Sequence, residues 1–151
     1  MSIDKLKEMG FNLIPLKPKS KEPIGGLNWK QFQDNKYTGS YPDSCNIAVI
    51  CGTSSGNIFV VDLDDNSLYE DYPAEIKDTF TVKTGKGYHL YYHFNGFPPP
   101  NKKMDDKRGR HIDIKSHGGY VLAPTSVHPN GSIYTAVNES PIMDIGIQKL
   151  K

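Results

Sequence analysis

The most informative part of this sequence is the stretch Ile58-Phe59-Val60-Val61-Asp62-Leu63-Asp64-Asp65. Its first four residues are apolar and either β-branched or aromatic, which is typical of a buried strand. Because side chains alternate along a strand, Asp62 and Asp64 are expected on one face, with Cα atoms roughly 6–7 Å apart. Two carboxylates this close repel each other unless a cation lies between them, and clustered oxygen ligands suit Mg²⁺ or Mn²⁺. The stretch therefore predicts a metal site at a strand end or, alternatively, an acidic turn in which Asp65 or Asn66 caps the next helix.

Length and composition favour one ordinary globular domain. The chain has 151 residues, of which 36% are hydrophobic, and a chain of this size buries roughly 70% of its unfolded surface. No apolar run approaches the roughly 20 residues of a membrane span, and the N-terminus is not a signal peptide. We therefore expect a cytoplasmic protein with no membrane partner. Cys45 and Cys51 lack the paired spacing of a zinc site and are expected to be reduced.

The charged residues are unevenly distributed, although the net charge is only +1. Residues 62–78 contain seven acids and one base, whereas residues 101–117 contain six bases and three acids. An acidic centre beside a basic flank fits metal ions that face a polyanion. By itself, however, the charge distribution favours a solvated surface without a function.

Apolar periodicity and turn residues predict a chain of mixed α and β structure. Helices are expected over 2–9, with Ser2 as N-cap, and over 66–77, interrupted at Pro73. In addition to the acidic strand, strands are expected at 11–16, 46–51, 79–84, 88–94, 111–115, 120–124 and 133–135. The turn at 52–56 favours a hairpin between strand 46–51 and the acidic strand, and a basic loop is expected up to Arg110.

Two features near the N-terminus are interpreted as structural. The loop over 17–26 carries three lysines, including Lys21, and is interpreted as a solvated loop rather than a phosphate contact. Trp29 begins a helical segment and is interpreted as a core residue rather than a base-stacking platform.

Two later strands have polar faces. Period 2 places His89 on one face of strand 88–94, after a flexible turn, Gly85-Lys86-Gly87, whose backbone can approach an anion. In strand 111–115 the same period places Asp113 between His111 and Lys115, opposite two isoleucines. A carboxylate between two potential cations indicates a site, whereas an exposed sheet face of mixed charge is the alternative.

The order of these motifs resembles the bifunctional primase/polymerase (Prim-Pol) branch of the archaeo-eukaryotic primase superfamily. The likeness runs from about Gly10 to Tyr134. The matching motifs, in chain order, are Gly10-Phe11…Ile14-Pro15-Leu16 with Lys21-x-Pro23, Trp29, Asn46-Ile47-Ala48-Val49…Gly52, Val61-Asp62-Leu63-Asp64, Thr81-Val82-Lys83-Thr84…Gly87-Tyr88-His89, Ile112-Asp113 and Gly118-Gly119-Tyr120-Val121-Leu122-Ala123-Pro124-Thr125-Ser126-x-His128.

The resemblance implies an α+β fold: an RRM-like, mostly antiparallel sheet with packed helices, fused to an N-terminal α/β unit. It implies that 1–151 is a single Prim-Pol catalytic domain. Within it, 1–45 would be the N-terminal α/β segment, 46–140 the RRM-like core and 141–151 a tail.

The resemblance also implies a site. Asp62, Asp64 and Asp113 match the catalytic, metal-binding carboxylates, and His89 matches a histidine that contacts the phosphates of the incoming nucleotide. Three carboxylates from two strands can hold two Mg²⁺ or Mn²⁺ ions about 3.5–4 Å apart. Since phosphoryl transfer depends on charge neutralisation, the additional cations expected near the nucleotide are Lys86, Lys115, Lys83 and Arg110.

The implied activity is template-directed nucleotidyl transfer from NTPs or dNTPs by a DNA primase/polymerase core. The expected partners are single-stranded or primed DNA and a helicase or helical accessory domain, in the replication of a plasmid, virus or integrated element. One alternative is a catalytically weak module that binds nucleotides or single-stranded nucleic acid through stacking and basic grooves. Another is a phosphatase of the haloacid dehalogenase type, because Asp62-x-Asp64 follows a strand.

Overall fold

Two β-sheets form the framework of the protein, and the computed structural model describes residues 1–145. The strands are β1 (Leu13–Leu16), β2 (Asn46–Ile50), β3 (Ile58–Leu63), β4 (Thr81–Lys83), β5 (Tyr88–His93), β6 (Lys102–Asp105), β7 (His111–Lys115), β8 (Tyr120–Leu122), β9 (Thr135–Ala136) and β10 (Met143–Asp144). The helices are α1 (Ile3–Glu8) and α2 (Asn66–Asp71), with 3₁₀ turns at Trp29–Gln33, Thr53–Ser55 and Ala74–Ile76.

The small sheet has the order β1-β2-β8, and the large sheet has the order β6-β7-β3-β5-β4-β9. Every neighbouring pair in these two orders is antiparallel, and β10 adds to β5 in parallel. The protein is therefore an α+β protein with a mostly antiparallel sheet and few helices, as predicted. None of the helices within residues 1–145 is long and apolar enough to cross a membrane.

Both helices begin at capping residues that the sequence analysis names. Ser2 accepts a hydrogen bond from the backbone N–H of Lys5 at the start of α1, which satisfies one of the unpaired amides of the first turn. The Asp65 side chain accepts from the N–H of Ser67 (2.8 Å) and begins α2. Asp65 is thus the helix cap that the sequence allowed, while Asp62 and Asp64 remain outside α2.

The two faces of the large sheet pack against different cores. One face of β3 contributes Val60 to a core shared with the small sheet, together with Tyr91. The other face contributes Phe59, Val61 and Leu63 to a second core that contains Leu68 of α2. Burial on both faces explains the uninterrupted apolar run of β3.

Three expectations about the strands were wrong. The strands β2 and β3 lie in different sheets and do not form a hairpin; the positive φ angles of Gly52 and Gly56 turn the chain from one sheet to the other. The basic segment before Arg110 contains an edge strand, β6, whose mostly exposed residues give no apolar alternation. The last strand of the 120–136 region lies at Thr135–Ala136 rather than 133–135.

The predicted domain boundaries cross the observed sheets. Strand β1, from the predicted N-terminal segment, pairs with β2, which in turn pairs with β8. The predicted tail includes β10, and its residues 146–151 lie outside the described part of the chain. The division of the domain into segments stays a prediction.

The turn between β4 and β5 fits tightly against the end of β3. The Gly87 N–H donates to the Thr84 hydroxyl (3.0 Å), and the Thr84 N–H donates to the Gly87 carbonyl (2.9 Å). A Cβ on Gly87 would overlap the carbonyl oxygen of Leu63 and lie 2.8 Å from the Asp65 nitrogen. Only glycine therefore permits this approach of the turn to the acidic end of β3.

We predict that Gly87→Ala lowers the free energy of unfolding by about 1–3 kcal/mol, because the backbone must shift to admit the methyl group. The measurement is urea or thermal unfolding. Gly25→Ala is the matched control, since a Cβ there meets no atom within 4 Å, and its effect should stay within about 0.5 kcal/mol. Equal stability of the two variants would contradict the prediction.

Candidate active site

Strand register brings four charged or titratable side chains into one line across the large sheet. Asp62 of β3 lies directly opposite His89 of β5 on one side and Asp113 of β7 on the other. Asp113 in turn lies opposite Lys103 of β6. Directly paired residues project from the same face of a sheet. We call the line His89–Asp62–Asp113–Lys103 the cross-strand row.

Asp62 is held in its ionised form by its neighbours. Its Oδ1 lies 3.6 Å from Nε2 of His89, and the imidazole is buried. Burial by itself raises the pKa of Asp62, but the interaction with His89 and the positive charges of Lys115 and Lys21 outweigh it and lower the pKa overall. The Asp62 side chain is therefore a carboxylate that is partly sheltered from water.

Asp113 has a cation of its own. Lys115 Nζ lies 3.2 Å from Asp113 Oδ2, and both side chains are largely buried. Carboxylates directly opposite each other in an antiparallel pair have Cβ atoms about 4.5–5.5 Å apart, and their like charges destabilise the sheet. Two neighbours offset the repulsion between Asp62 and Asp113. They are His89, beside Asp62 in the cross-strand row, and Lys115, which lies two residues after Asp113 on β7.

Asp64 lies just beyond the end of β3. Its backbone N–H donates to the carbonyl of His111 (3.1 Å), which keeps it beside the start of β7, and its side chain is exposed. Within residues 1–145 no three Asp, Glu, His or Cys side chains converge on a ready-made metal site. The donor chemistry of Asp62 and Asp113 nevertheless fits Mg²⁺ or Mn²⁺, because these hard cations take carboxylate oxygens and keep several waters.

The cross-strand row forms the floor of a cleft between the large sheet and the edge of the small sheet. The cleft has two arms, which share Lys21, Asp62, His89, Asp113 and Tyr134. The first, with a volume of about 470 Å³, is walled by Trp29, Gly118, Gly119 and Tyr120; we call it the aromatic arm. The second, of about 290 Å³, is walled by Asp64, Thr84, Gly85, Lys86, His128 and Asn130; we call it the polar arm.

The negative charges at the junction also affect the pKa of Tyr134. Burial first, and then the negative charges of Asp62 and Asp64, raise the pKa of Tyr134 to about 12. The Tyr134 hydroxyl thus stays protonated at neutral pH and presents a neutral hydrogen-bonding group to both arms.

Two of the predicted cations line the cleft. Lys86 is exposed in the turn that walls the polar arm, and Lys115 lines the aromatic arm. Each therefore borders an arm of the cleft whose floor is the cross-strand row.

Two predicted nucleotide contacts, Lys83 and Arg110, are not among the residues that line the cleft. Lys83 pairs with Tyr88, one residue out of phase with His89, so its side chain leaves the opposite face of the sheet. Its Nζ donates to the Thr84 carbonyl (2.7 Å) and lies 5.0 Å from the Tyr88 ring centroid. Arg110 is neutralised by Asp106 and Asp71, each 2.7 Å from its guanidinium.

Several lining residues were missed by sequence reasoning. Lys21 was assigned to a solvated loop although it belongs to the Lys21-x-Pro23 motif, and Lys103 lies in the unpredicted strand β6. His128 and Asn130 wall the polar arm from a loop without periodicity. The motifs that contain Lys21 and His128 were the available signals among them.

A buried asparagine ties two of the cleft's loops together. Asn46 Nδ2 donates to the carbonyls of Ser20 (3.0 Å) and Val127 (2.7 Å), and its Oδ1 accepts from the Val127 N–H (2.9 Å). The loops that carry Lys21 and His128 are therefore anchored to the first residue of β2.

Comparison with known proteins agrees with this geometry. A family model described as bifunctional DNA primase/polymerase, N-terminal, matches residues 4–146. A comparison with curated proteins gave no match. Because the family model covers nearly the whole chain, including every residue of the cross-strand row, this protein belongs to the family of bifunctional DNA primase/polymerase N-terminal domains.

Proposed function

We propose that this domain is the catalytic core of a DNA primase/polymerase that adds nucleotides from NTPs or dNTPs to a primer end on a single-stranded or primed DNA template. The observation that supports this most is the placement of the cross-strand row at the junction of the cleft's two arms. Two adjoining substrates, a strand end and a nucleoside triphosphate, need two adjoining sites that meet at one set of catalytic groups.

We propose that Asp62, Asp113 and Asp64 hold two Mg²⁺ or Mn²⁺ ions. When bound, such ions would neutralise phosphate charge and favour deprotonation of an attacking hydroxyl. The protein's own contribution is to keep Asp62 ionised and to hold Asp62 and Asp113 in register and partly sheltered from water. Asp64 supplies the third carboxylate from the edge of the polar arm.

The polar arm is the proposed site of the triphosphate. Lys86 offers an exposed cation, and His89 Nε2 faces the junction beside Asp62. Lys115, which lines the aromatic side of the junction, adds positive charge beside Asp113. In phosphoryl transfer the protein mainly positions groups and neutralises charge. These three side chains do so from the turn before β5, from β5 itself and from β7.

The finer description of the fold and its context are also proposals. The order β7-β3-β5-β4, with α2 after β3, supports an RRM-like core, because it reproduces most of a βαββαβ unit. Cytoplasmic replication of a plasmid, virus or integrated element, with a helicase or helical accessory domain as partner, is supported by the resemblance of the motifs.

One alternative function retains support. A module that binds nucleotides or single-stranded nucleic acid without chemistry is favoured by the absence of a converged three-carboxylate cluster within residues 1–145. Nucleotide or DNA binding that needs no metal, with no incorporation, would favour this alternative. The phosphatase alternative has no support from the family match.

We predict that Asp62→Asn and Asp113→Asn each reduce primer extension with Mg²⁺ or Mn²⁺ by about 10²–10³-fold, the cost of removing one preorganised electrostatic group. The measurement is incorporation of labelled nucleotides on a primed single-stranded template. Asp43→Asn, which changes an exposed carboxylate away from the cleft, is the matched control and should retain activity. Extension that is unchanged in both site variants would disprove the assigned site.

We also predict that divalent ions stabilise the folded protein through the same carboxylates. At a Mg²⁺ or Mn²⁺ concentration about 100 times Kd, the free energy of unfolding should rise by about 2.7 kcal/mol. The measurement is the melting temperature against ion concentration, without nucleotide or DNA. The rise should disappear in Asp113→Asn and persist in Asp43→Asn; an equal rise in both would place the ions elsewhere.

A further inference from the structure

Trp29 is a structural residue that also presents part of its ring to the cleft. It begins the 3₁₀ turn Trp29–Gln33, is half-buried and packs against the core between the two sheets. Its ring meets that of Tyr120 edge to face, with centroids 4.9 Å apart and an interplanar angle of 83°. Both rings line the aromatic arm, in line with Asp62 and Asp113. The interpretation of Trp29 as a core residue therefore describes only part of its surroundings.

The aromatic pair is held rigidly by hydrogen bonds on both sides. The Tyr120 hydroxyl donates to the Lys21 carbonyl (2.5 Å), which fixes the loop over 17–26. Gln33 Oε1, at the end of the same 3₁₀ turn, accepts from the Gly118 N–H (2.7 Å). A platform whose geometry is fixed beforehand loses little conformational freedom when a ligand stacks on it.

Three lysines, Lys21, Lys103 and Lys115, line the aromatic arm beside this pair. Lys103 is exposed on the edge strand β6 and forms no ion pair with any residue of 1–145. Gly118 and Gly119 contribute backbone to the neighbouring wall. Aromatic rings interleaved with lysines are the combination that binds single-stranded nucleic acid, since bases stack and phosphates pair with cations.

We propose that the aromatic arm binds single-stranded DNA next to the cross-strand row, with Trp29 and Tyr120 as the platform on which a base of the strand stacks. This proposal rests on the proposed function and adds a residue-level site for the DNA partner. The two arms then divide the substrates: the strand lies in the aromatic arm, and the triphosphate lies in the polar arm. Among the described residues that line the polar arm, Tyr134 is the only Phe, Tyr or Trp.

The chain contains a built-in probe of this site, because Trp29 is its only tryptophan. The full chain is titrated with an oligothymidylate about ten nucleotides long, within the range that one single-strand site covers. Nucleotide and divalent metal are left out, with a chelator present. We expect saturable quenching of the tryptophan fluorescence. The logarithm of the association constant should fall linearly with the logarithm of the salt concentration. The expected slope is near −2, about −0.7 for each of three phosphate contacts.

The variants are compared by the anisotropy of a labelled oligothymidylate, which does not depend on the tryptophan. Trp29→Leu should raise Kd by about 5- to 150-fold, the value of one stacked base, whereas Trp29→Phe, which keeps a ring, should stay within a few-fold. The matched control is Phe97→Leu, which removes an aromatic ring that is 93% exposed and lies outside the cleft. It should leave Kd unchanged.

Several results would overturn the proposal. An unchanged Kd in Trp29→Leu, or an equal loss of affinity in Phe97→Leu, would show that no base stacks at this site. Quenching by a free dNTP but not by the oligonucleotide would assign the platform to the nucleotide instead. A loss of affinity in Trp29→Leu that is matched by Trp29→Phe would indicate a packing role only, and melting temperatures would show it.

The strand site and the proposed polymerase function can be disproved independently of each other. Because the titration needs neither metal nor incorporation, quenching in a protein that does not extend primers would leave the strand site standing without polymerase activity. Conversely, extension that survives in Trp29→Leu, with no quenching in the parent chain, would overturn the strand site and leave the polymerase core intact.

Discussion

The pairing of Asp62 with Asp113 across β3 and β7 is the constraint on which the site depends. Two carboxylates opposite each other in an antiparallel sheet repel, and the hydrogen-bonded backbone prevents them from moving apart. Two side chains offset this repulsion: His89, which lies beside Asp62 on β5, and Lys115, which lies beside Asp113 on β7. What remains is a fixed, partly sheltered negative pair, which is the arrangement that attracts a small divalent cation.

The two cores explain why this pair lies where it does. As far as Val60, the inner face of β3 packs against the small sheet. Two residues later the same face carries Asp62, which lines the cleft together with β8 residues of the small sheet. The other face of β3 stays packed as far as Leu63. The face that carries Asp62 is therefore open to the cleft, while the opposite face of β3 is buried and supports it.

Periodicity was sufficient to predict the polar faces that meet in the cross-strand row and insufficient to place the residues around that row. Alternation put Asp62, His89 and Asp113 on polar faces of their strands, and these three now lie side by side. Register decides which cations join them, and register depends on pairings between distant segments. Lys83 is one residue out of phase with His89, which the isolated strand sequence does not reveal.

Other parts were missed for related physical reasons. The edge strand β6 has no buried face, so the residues around Lys103 show no alternation. Strands β2 and β3 both contain a continuous apolar run, and such runs do not indicate whether a glycine turn makes a hairpin or a crossing between sheets. The sequence predicts Asn46 as the first residue of a strand, which is where the structure places it. Its role as an anchor for two loops depends on the carbonyls of Ser20 and Val127, which are distant in sequence.

The two arms differ in chemistry because their walls come from different parts of the chain. The 3₁₀ turn at Trp29 and the start of β8 wall the aromatic arm, whereas the turn before β5 and the loop around His128 wall the polar arm. The loop of Lys21 reaches both arms, and Tyr120 and Asn46 hold it at two backbone carbonyls, those of Lys21 and Ser20. Loss of either the Tyr120 or the Asn46 hydrogen bond would therefore loosen a loop that supplies a cation to both arms. The small sheet, which contributes none of the three site carboxylates, in this way fixes the shape of the space in which they act.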